Sequence, residues 1–179
     1  HDLNKFLKLD KLKKEKIINN FKILKNEKYL QKFGFSCVYP NEIKKIKRTD
    51  IDILQIPFNV LDNNYVKNIK FLNKNVEIHA RSIFLQGLLL SENNQIKKII
   101  KKIPKKLILF KKKYQSVEER ILVCRELLLK KKIKNVVIGF LNMDQYNQIN
   151  KSFNIKTKTK IRLNNYFLNK SKLIKPYNW

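Results

Sequence analysis

Four short apolar runs, each followed by a helical pattern, constrain this sequence more than its overall composition does. The runs cover 32–38, 51–58, 76–82 and 131–139. The second run is almost uninterrupted, as a strand buried on both faces requires. Strand, loop and helix repeated with short connections predict an α/β fold built on parallel strands.

Glycine is so scarce that each position calls for a physical reason, since the chain has 3 glycines among 179 residues. The pattern predicts that Gly34 and Gly139 lie at strand ends just before helices, and that Gly87 lies in the loop after the third strand. Glycine in such a loop lets the backbone approach a ligand closely. We therefore expect functional groups at the C-terminal ends of the strands.

Helical patterns occupy most of the remaining sequence. Lysines alternate with apolar residues at helical spacing over 3–31, which predicts one or two amphipathic helices. The segment 39–42 predicts the start of another helix, and 116–119 predicts a capping box for a helix that continues to Leu129. Further helices are predicted over 63–72, 93–103, 142–153 and around 161–168. Pro104 ends the helix over 93–103.

The charge is strongly positive but evenly spread. The formal net charge is +27, from 41 Lys and Arg against 14 Asp and Glu. Such a charge is typical of proteins with an anionic partner such as nucleic acid. However, lysine, asparagine and isoleucine are enriched along the whole chain, as an AT-rich genome would produce, and aromatic residues are not interleaved with the basic ones. We predict no specific nucleic-acid partner, and keep a basic nucleic-acid-binding protein as the weaker alternative.

Cysteine usage and hydropathy indicate a cytoplasmic protein. Cys37 and Cys124 are far apart and form no CxxC pair, which fits a reducing compartment. No apolar run approaches the roughly 20 residues that span a bilayer, and no secretory pattern is present, so no membrane partner is expected. The histidines and cysteines form no zinc pattern, so no metal site is predicted. Residues 1–179 are predicted to form a single domain.

The strand ends, taken in order, resemble those of a known family. They are His1-Asp2, Gly34-Phe35-Ser36, and the segments 55–59, 79–88 and 136–139. This series is similar to the C-terminal part of the aldo/keto reductases. The string Ala-Arg-Ser-Ile-Phe-Leu-Gln-Gly-Leu-Leu is most similar to bacterial members associated with surface-sugar pathways, and the final Pro-Tyr-Asn-Trp resembles the family's usual ending. The resemblance covers nearly the whole chain and depends on the order and spacing of these motifs.

The resemblance implies a partial (β/α)8 TIM barrel, namely the C-terminal half with parallel strands and outer helices. Because the chain begins with His1 rather than Met, we expect a fragment whose N-terminal strands precede residue 1. The family's catalytic tetrad is Asp, Tyr, Lys and His, with Tyr as the general acid. Only His1 matches this tetrad, so the chain alone is expected to have no turnover.

The resemblance also implies an NADP or NAD cofactor, with NADP favoured, and the reduction of a small-molecule carbonyl substrate. The matching residues are Ser36 and Gln55 for the nicotinamide amide, Ser82, Phe84 and Gly87 for the loop over the pyrophosphate, Gly139, Phe140 and Leu141 for the phosphate-side loop at a helix start, and Gln145 near the adenosine.

Three positions depart from the family's pattern. Arg81 stands where many members carry an aromatic ring that stacks on the nicotinamide, although a guanidinium can stack too. Leu141 stands where NADP-specific members often carry a basic residue, and Ile149 replaces an asparagine often found at the adenine. These departures favour an alternative, a catalytically inactive barrel-derived module for binding or assembly. The sequence predicts no oligomeric state.

Each candidate also has a purely structural interpretation. Ser36 and Gln55 could be ordinary polar residues at strand ends. Phe84 and Leu88 could simply pack in the barrel wall. Cys37 is predicted to be a small buried residue rather than a nucleophile, since no histidine accompanies it. His79 is predicted to be a core histidine with its hydrogen bonds satisfied rather than a metal ligand.

Overall fold

The computed structural model describes residues 2–46, 50–62, 64–72, 74–92, 103–131, 133 and 135–155. The chain divides into two compact units: the first comprises His1–Pro57 and Asn64–Arg81, and the second comprises Phe58–Asn63 and Ser82–Trp179. The predictions that concern His1, the helices over 93–103 and 161–168, and the C-terminal Pro-Tyr-Asn-Trp lie outside the described residues.

The first unit is a parallel sheet with helices between its strands, as the alternating pattern predicts. Its helices are α1 (Leu3–Leu7), α2 (Lys11–Asn26), α3 (Glu42–Lys45) and α4 (Val66–Ile69). Its strands are β1 (Gly34–Ser36), β2 (Ile53–Pro57) and β3 (Glu77–Arg81), with β2 between the other two and all three parallel. The 3–31 segment forms two helices, and the helix predicted over 63–72 is shorter than expected.

The register of this sheet aligns polar side chains across the strands. Ser36 pairs with Gln55, and Gln55 pairs with His79. Because successive side chains of a strand point to opposite faces, these three residues form a row on one face, here called the polar row. The opposite face carries Leu54 and Ile56, which are fully buried. The prediction that the second strand is buried on both faces is therefore wrong, because Gln55 keeps one face partly open to solvent.

Aromatic packing attaches the N-terminal helices to the sheet. The ring centroids of Phe6 and Phe35 lie 4.5 Å apart. The rings of Phe21 and Phe33 are stacked, with their centroids 5.1 Å apart. Asp2 begins α1 as its N-cap and also forms a parallel bridge with Ser36. The parallel pairing thus continues beyond β1, on the side opposite β2.

In its described residues, the second unit contains three longer helices and one short strand. They are α5 (Lys105–Lys113), α6 (Val117–Lys130), β4 (Asn135–Val137) and α7 (Met143–Asn154). The predicted capping box is confirmed: Glu119 N donates to Ser116 Oγ at 3.0 Å, and Ser116 N donates to the Glu119 carboxylate at 3.1 Å. No helix in the described part of the chain is both long and apolar enough to cross a membrane.

The sequence pattern does not predict helix α5, because Pro104 is interpreted only as the end of a preceding helix. In the structure Pro104 is the N-cap of α5, with an extended backbone conformation. A proline is tolerated at a helix start, since its missing N–H would have no partner there. Leu107 and Phe110 then face the core and are fully buried.

Gly34 and Gly139 do not share one role, contrary to the sequence-based expectation. Gly139 follows β4 as predicted, and a Cβ added there would meet no atom within 4 Å. Gly34 is instead the first residue of β1, and an added Cβ would overlap the backbone of Ile53, lying 2.6 Å from its carbonyl carbon. Gly34 is therefore required for the close approach of β1 to β2.

Replacing each of these glycines by alanine tests this difference. Gly34→Ala should destabilise the protein by about 3 kcal/mol, because overpacking against fixed backbone forces the strands apart. Gly139→Ala is the matched control and should change the free energy of unfolding by less than about 0.5 kcal/mol. Urea denaturation followed by circular dichroism measures both, and equal effects would show that β1 does not approach β2 as described.

Candidate functional site

The polar row has a direct hydrogen bond between its first two members. Ser36 Oγ donates to Gln55 Oε1 at 3.2 Å, and both side chains are partly exposed. Among the described residues, none accepts a hydrogen bond from the Gln55 amide nitrogen. The pair therefore presents an oriented N–H donor from Gln55 beside an oxygen acceptor of Ser36.

His79, the third member, is partly buried and lies beside a carboxylate. Its Nε2 is 3.5 Å from a Glu77 carboxylate oxygen, and its side chain is 23% exposed. The expectation of a histidine with polar partners is met, but the residue is on the partly open face rather than in the core. No cluster of three or more His, Cys, Asp or Glu that could hold a metal occurs in the described ranges.

Arg81 lies on the same face, one pair further along the sheet. It pairs with Pro57 in the register, two residues after His79, and its guanidinium donates to the Cys37 carbonyl oxygen at 3.1 Å. This hydrogen bond holds the guanidinium over the C-terminal end of β1. The first unit thus brings together Ser36, Gln55 and Arg81, three of the predicted cofactor residues.

Glu42 positions the loop to which Arg81 binds, a role that sequence reasoning missed. The carboxylate is buried, with 4% of the residue exposed, and its Oε2 accepts from Val38 N at 2.8 Å and Tyr39 N at 3.0 Å. The thiol of Cys37 also lies 3.3 Å from Oε2. The available signal was an acidic residue at a helix start, six residues after the end of β1.

Cys37 is a small buried residue with a free thiol, as predicted. Burial raises the pKa of its thiol, and the hydrogen bond and negative charge of Glu42 raise that pKa further. The side chain therefore stays protonated at neutral pH, whereas the thiolate is the reactive form. Burial also raises the pKa of Cys124 to about 12.

The loop after β3, in the second unit, has an unusual backbone. Ser82, Leu85 and Gln86 have φ angles of 57°, 50° and 53°, and Gly87 has 82°. Residues other than glycine adopt this left-handed region only when their surroundings enforce it, and such strain concentrates at ligand sites and turns. Phe84 and Leu88 are 7% and 0% exposed, so both side chains are buried, in agreement with the structural interpretation.

The turn between β4 and α7 is open to solvent. Leu141 is 91% exposed and Phe140 is about half exposed, with its ring 5.2 Å from that of Tyr146. Gln145 is not free: its Oε1 accepts from Leu141 N at 2.9 Å, and its own N–H donates to Asn142 Oδ1 at 2.9 Å. The predicted adenosine contact therefore caps α7 in the structure.

Gln145 also lines an open cavity of about 460 Å³ between α6 and α7. Its other lining residues offer amides and charges of both signs: Glu118, Asn142, Asp144, Asn147, Gln148 and Lys151. Gln148 Nε2 donates to the Glu118 carboxylate at 2.6 Å across this cavity.

Two substitutions of Glu42 test whether it holds the β1–α3 loop. Glu42→Ala would leave two backbone N–H groups without their acceptor, which costs about 1–3 kcal/mol per group where buried. Glu42→Gln keeps one acceptor oxygen and should destabilise less. Chemical denaturation measures both, with the exposed Glu27→Ala as control at no more than about 0.5 kcal/mol. A loss for Glu42→Ala as small as the control's would contradict this role.

Two solved structures of the aldo-keto reductase AKR11C1 from Bacillus halodurans are similar to this chain. The holo form matches with a TM-score of 0.60 and 20% identity, over 79% of this chain and 51% of that chain. The apo form matches with a TM-score of 0.62 and 20% identity, over 84% of this chain and 54% of that chain. The chain therefore spans about half the length of the reductases that it matches.

No protein-family model matches the sequence, and no curated protein matches it either. The similarity therefore lies in the three-dimensional arrangement, at an identity of 20%. It agrees with the resemblance of the strand ends and with the parallel α/β architecture. The chain thus has the partial (β/α) barrel fold of an aldo/keto reductase.

Proposed function

We propose that this chain is the cofactor-binding half of an NAD(P)H-dependent carbonyl reductase. The observation that carries the proposal is the Ser36–Gln55 pair, whose hydrogen bond of 3.2 Å lies on the partly open face of a parallel sheet. Ligands of α/β folds bind at the C-terminal ends of such strands. The proposal treats residues 1–179 as one cytoplasmic domain.

The chemistry of this pair suits the carboxamide of a nicotinamide. A carboxamide offers one carbonyl acceptor and one NH₂ donor, side by side. The free N–H of Gln55 matches the acceptor, and a lone pair of Ser36 Oγ matches the donor. Two such bonds fix the orientation of the ring and so determine which face transfers the hydride.

Arg81 supports the same placement. Its planar guanidinium is held beside the polar row by the Cys37 carbonyl, and a guanidinium can stack on an aromatic ring. We propose that it takes the place of the stacking aromatic found in many members of the family. Glu42 acts as a positioning residue, because it holds the loop that carries this carbonyl.

We propose that residues of the second unit contact the cofactor's phosphates, by their resemblance to the family. The candidates are Ser82, Phe84 and Gly87 in the strained loop, and Gly139, Phe140 and Leu141 before α7. Backbone N–H groups at the start of a 12-residue helix attract anions. Because the exposed Leu141 carries no charge, the proposal includes NADH as well as NADPH.

An inactive binding or assembly module is the second candidate. The capping role of Gln145 favours it, because this side chain would have to leave Leu141 N to reach an adenosine. Such a module keeps the fold without binding the dinucleotide. Direct binding of the cofactor distinguishes the two functions, whereas an activity assay does not: without the general acid, turnover of a small carbonyl substrate is not expected in either case.

Titration with NADPH and with NADH, followed by fluorescence, tests the proposal. Gln55→Ala should weaken binding about tenfold, because one hydrogen bond to the carboxamide contributes about 1–1.5 kcal/mol. Ser36→Ala should have a similar effect. The exposed Gln31→Ala changes the same residue type elsewhere and should leave binding unchanged.

Circular dichroism of each variant establishes that it is folded before the titrations are compared. Absence of binding to either dinucleotide by the folded protein would support the inactive module. Binding that Gln55→Ala and Ser36→Ala leave unchanged would place the nicotinamide elsewhere and reject the assignment of this pair.

A further inference from the structure

Two buried cations in the second unit have no part in the proposed cofactor site. Lys111 on α5 is 8% exposed, and Arg120 on α6 is 3% exposed. Fully buried lysine and arginine are rare unless they are paired with opposite charge. Most of the other lysines and arginines that the structure describes are exposed, so the burial of these two requires an explanation.

Both cations line one cavity of about 360 Å³. This volume is within the range of roughly 300–1,000 Å³ that is typical of small-molecule sites. The other lining residues are Glu92, Ile108, Lys112 and Gln115. The charged groups of the cavity are thus mostly cationic, and the carbon chains of these long side chains and Ile108 supply apolar surface.

Neutral carbonyl groups orient the guanidinium of Arg120. Its Nε donates to Ser116 O at 3.1 Å, and its terminal nitrogens donate to Gln115 O at 2.9 Å and Leu89 O at 3.4 Å. The ammonium of Lys111 likewise donates to the Ser91 carbonyl. Carbonyl oxygens fix the geometry of both groups without cancelling their charges.

Among the lining residues that the structure describes, the one carboxylate is too exposed to balance these charges. Glu92 lies 3.8 Å from Arg120, but its side chain is 71% exposed and therefore well solvated. Against it stand Lys111, Lys112 and Arg120. Burial, and then the charge of Arg120, lowers the pKa of Lys111 to about 8, while Glu92 opposes the shift. The site therefore has an excess of positive charge.

We propose that this cavity binds a small phosphate-type oxyanion between Lys111 and Arg120. A dianion balances the charge excess, and Arg120 offers planar N–H donors suited to the tetrahedral oxygens of phosphate. Lys111 adds a second point charge from the neighbouring helix. The inference does not depend on the proposed function, because the cavity contains no residue assigned to the nicotinamide dinucleotide.

Isothermal titration with inorganic phosphate, in potassium chloride at constant ionic strength, is the test. Lys111→Met removes the ammonium and should weaken phosphate binding at least about tenfold, as loss of a charge-assisted bond does. Since this substitution removes a charge whose burial is costly, it should not lower stability. The exposed Lys105→Met on the same helix changes net charge equally and should leave binding within about twofold.

The pH dependence gives a second readout. Between pH 7 and pH 9 the phosphate becomes more negative, whereas Lys111 loses its proton around its pKa of about 8. Binding to the unmodified protein should therefore weaken as pH rises through this range. Lys111→Arg keeps its charge at every pH in this range and should retain binding at pH 9.

Three results would overturn the proposal. One is the absence of phosphate binding by the folded protein at millimolar concentration. Another is equal weakening by Lys111→Met and Lys105→Met, which would indicate diffuse attraction to a basic surface. The third is phosphate binding that Lys111→Met leaves unchanged, which would exclude the ammonium of Lys111 as a ligand.

Discussion

The parallel register of β1, β2 and β3 is the constraint on which the first unit depends. It places Ser36, Gln55 and His79 side by side, with the buried Leu54 and Ile56 on the opposite face. A shift of one residue would turn every side chain of a strand to the other face. The register is enforced at its start by Gly34, which alone can lie against the Ile53 backbone.

A second level of organisation holds functional groups by hydrogen bonds outside the sheet. In the first unit, the buried Glu42 fixes the backbone after β1, and the carbonyl of Cys37 in this segment then holds Arg81. In the second unit, three carbonyls from two segments fix Arg120. In both cases backbone carbonyl groups orient a guanidinium, that of Arg81 in the first unit and that of Arg120 in the second.

Periodicity and local chemistry predict much of this architecture. The four strands, the two N-terminal helices, the Ser116 capping box and the burial of Cys37 all follow from patterns within about ten residues. For Ser36 and Gln55, the sequence predicts only that each is a polar residue on one of two successive strands. Their actual contact depends on the register, which no single segment encodes.

The features that the sequence did not predict are those that require two distant segments. Gly34 is needed because Ile53 lies against it, and nothing in the sequence around Gly34 indicates that contact. The burial of Lys111 and Arg120 is hidden in a sequence with 41 basic residues, and most of the basic residues that the structure describes are exposed. For Glu42 the sequence shows only an acidic residue at a helix start. Many helices begin this way, so the pattern does not indicate that Glu42 holds the preceding loop.

The sheet register can be measured directly by backbone nuclear Overhauser effects between strands in the labelled protein. The account predicts parallel contacts that pair Ser36 with Gln55 and Gln55 with His79. Contacts shifted by one residue would place these side chains on opposite faces, and antiparallel contacts would not give the parallel order of these pairs. Either result would contradict the polar row and the cofactor site proposed on it.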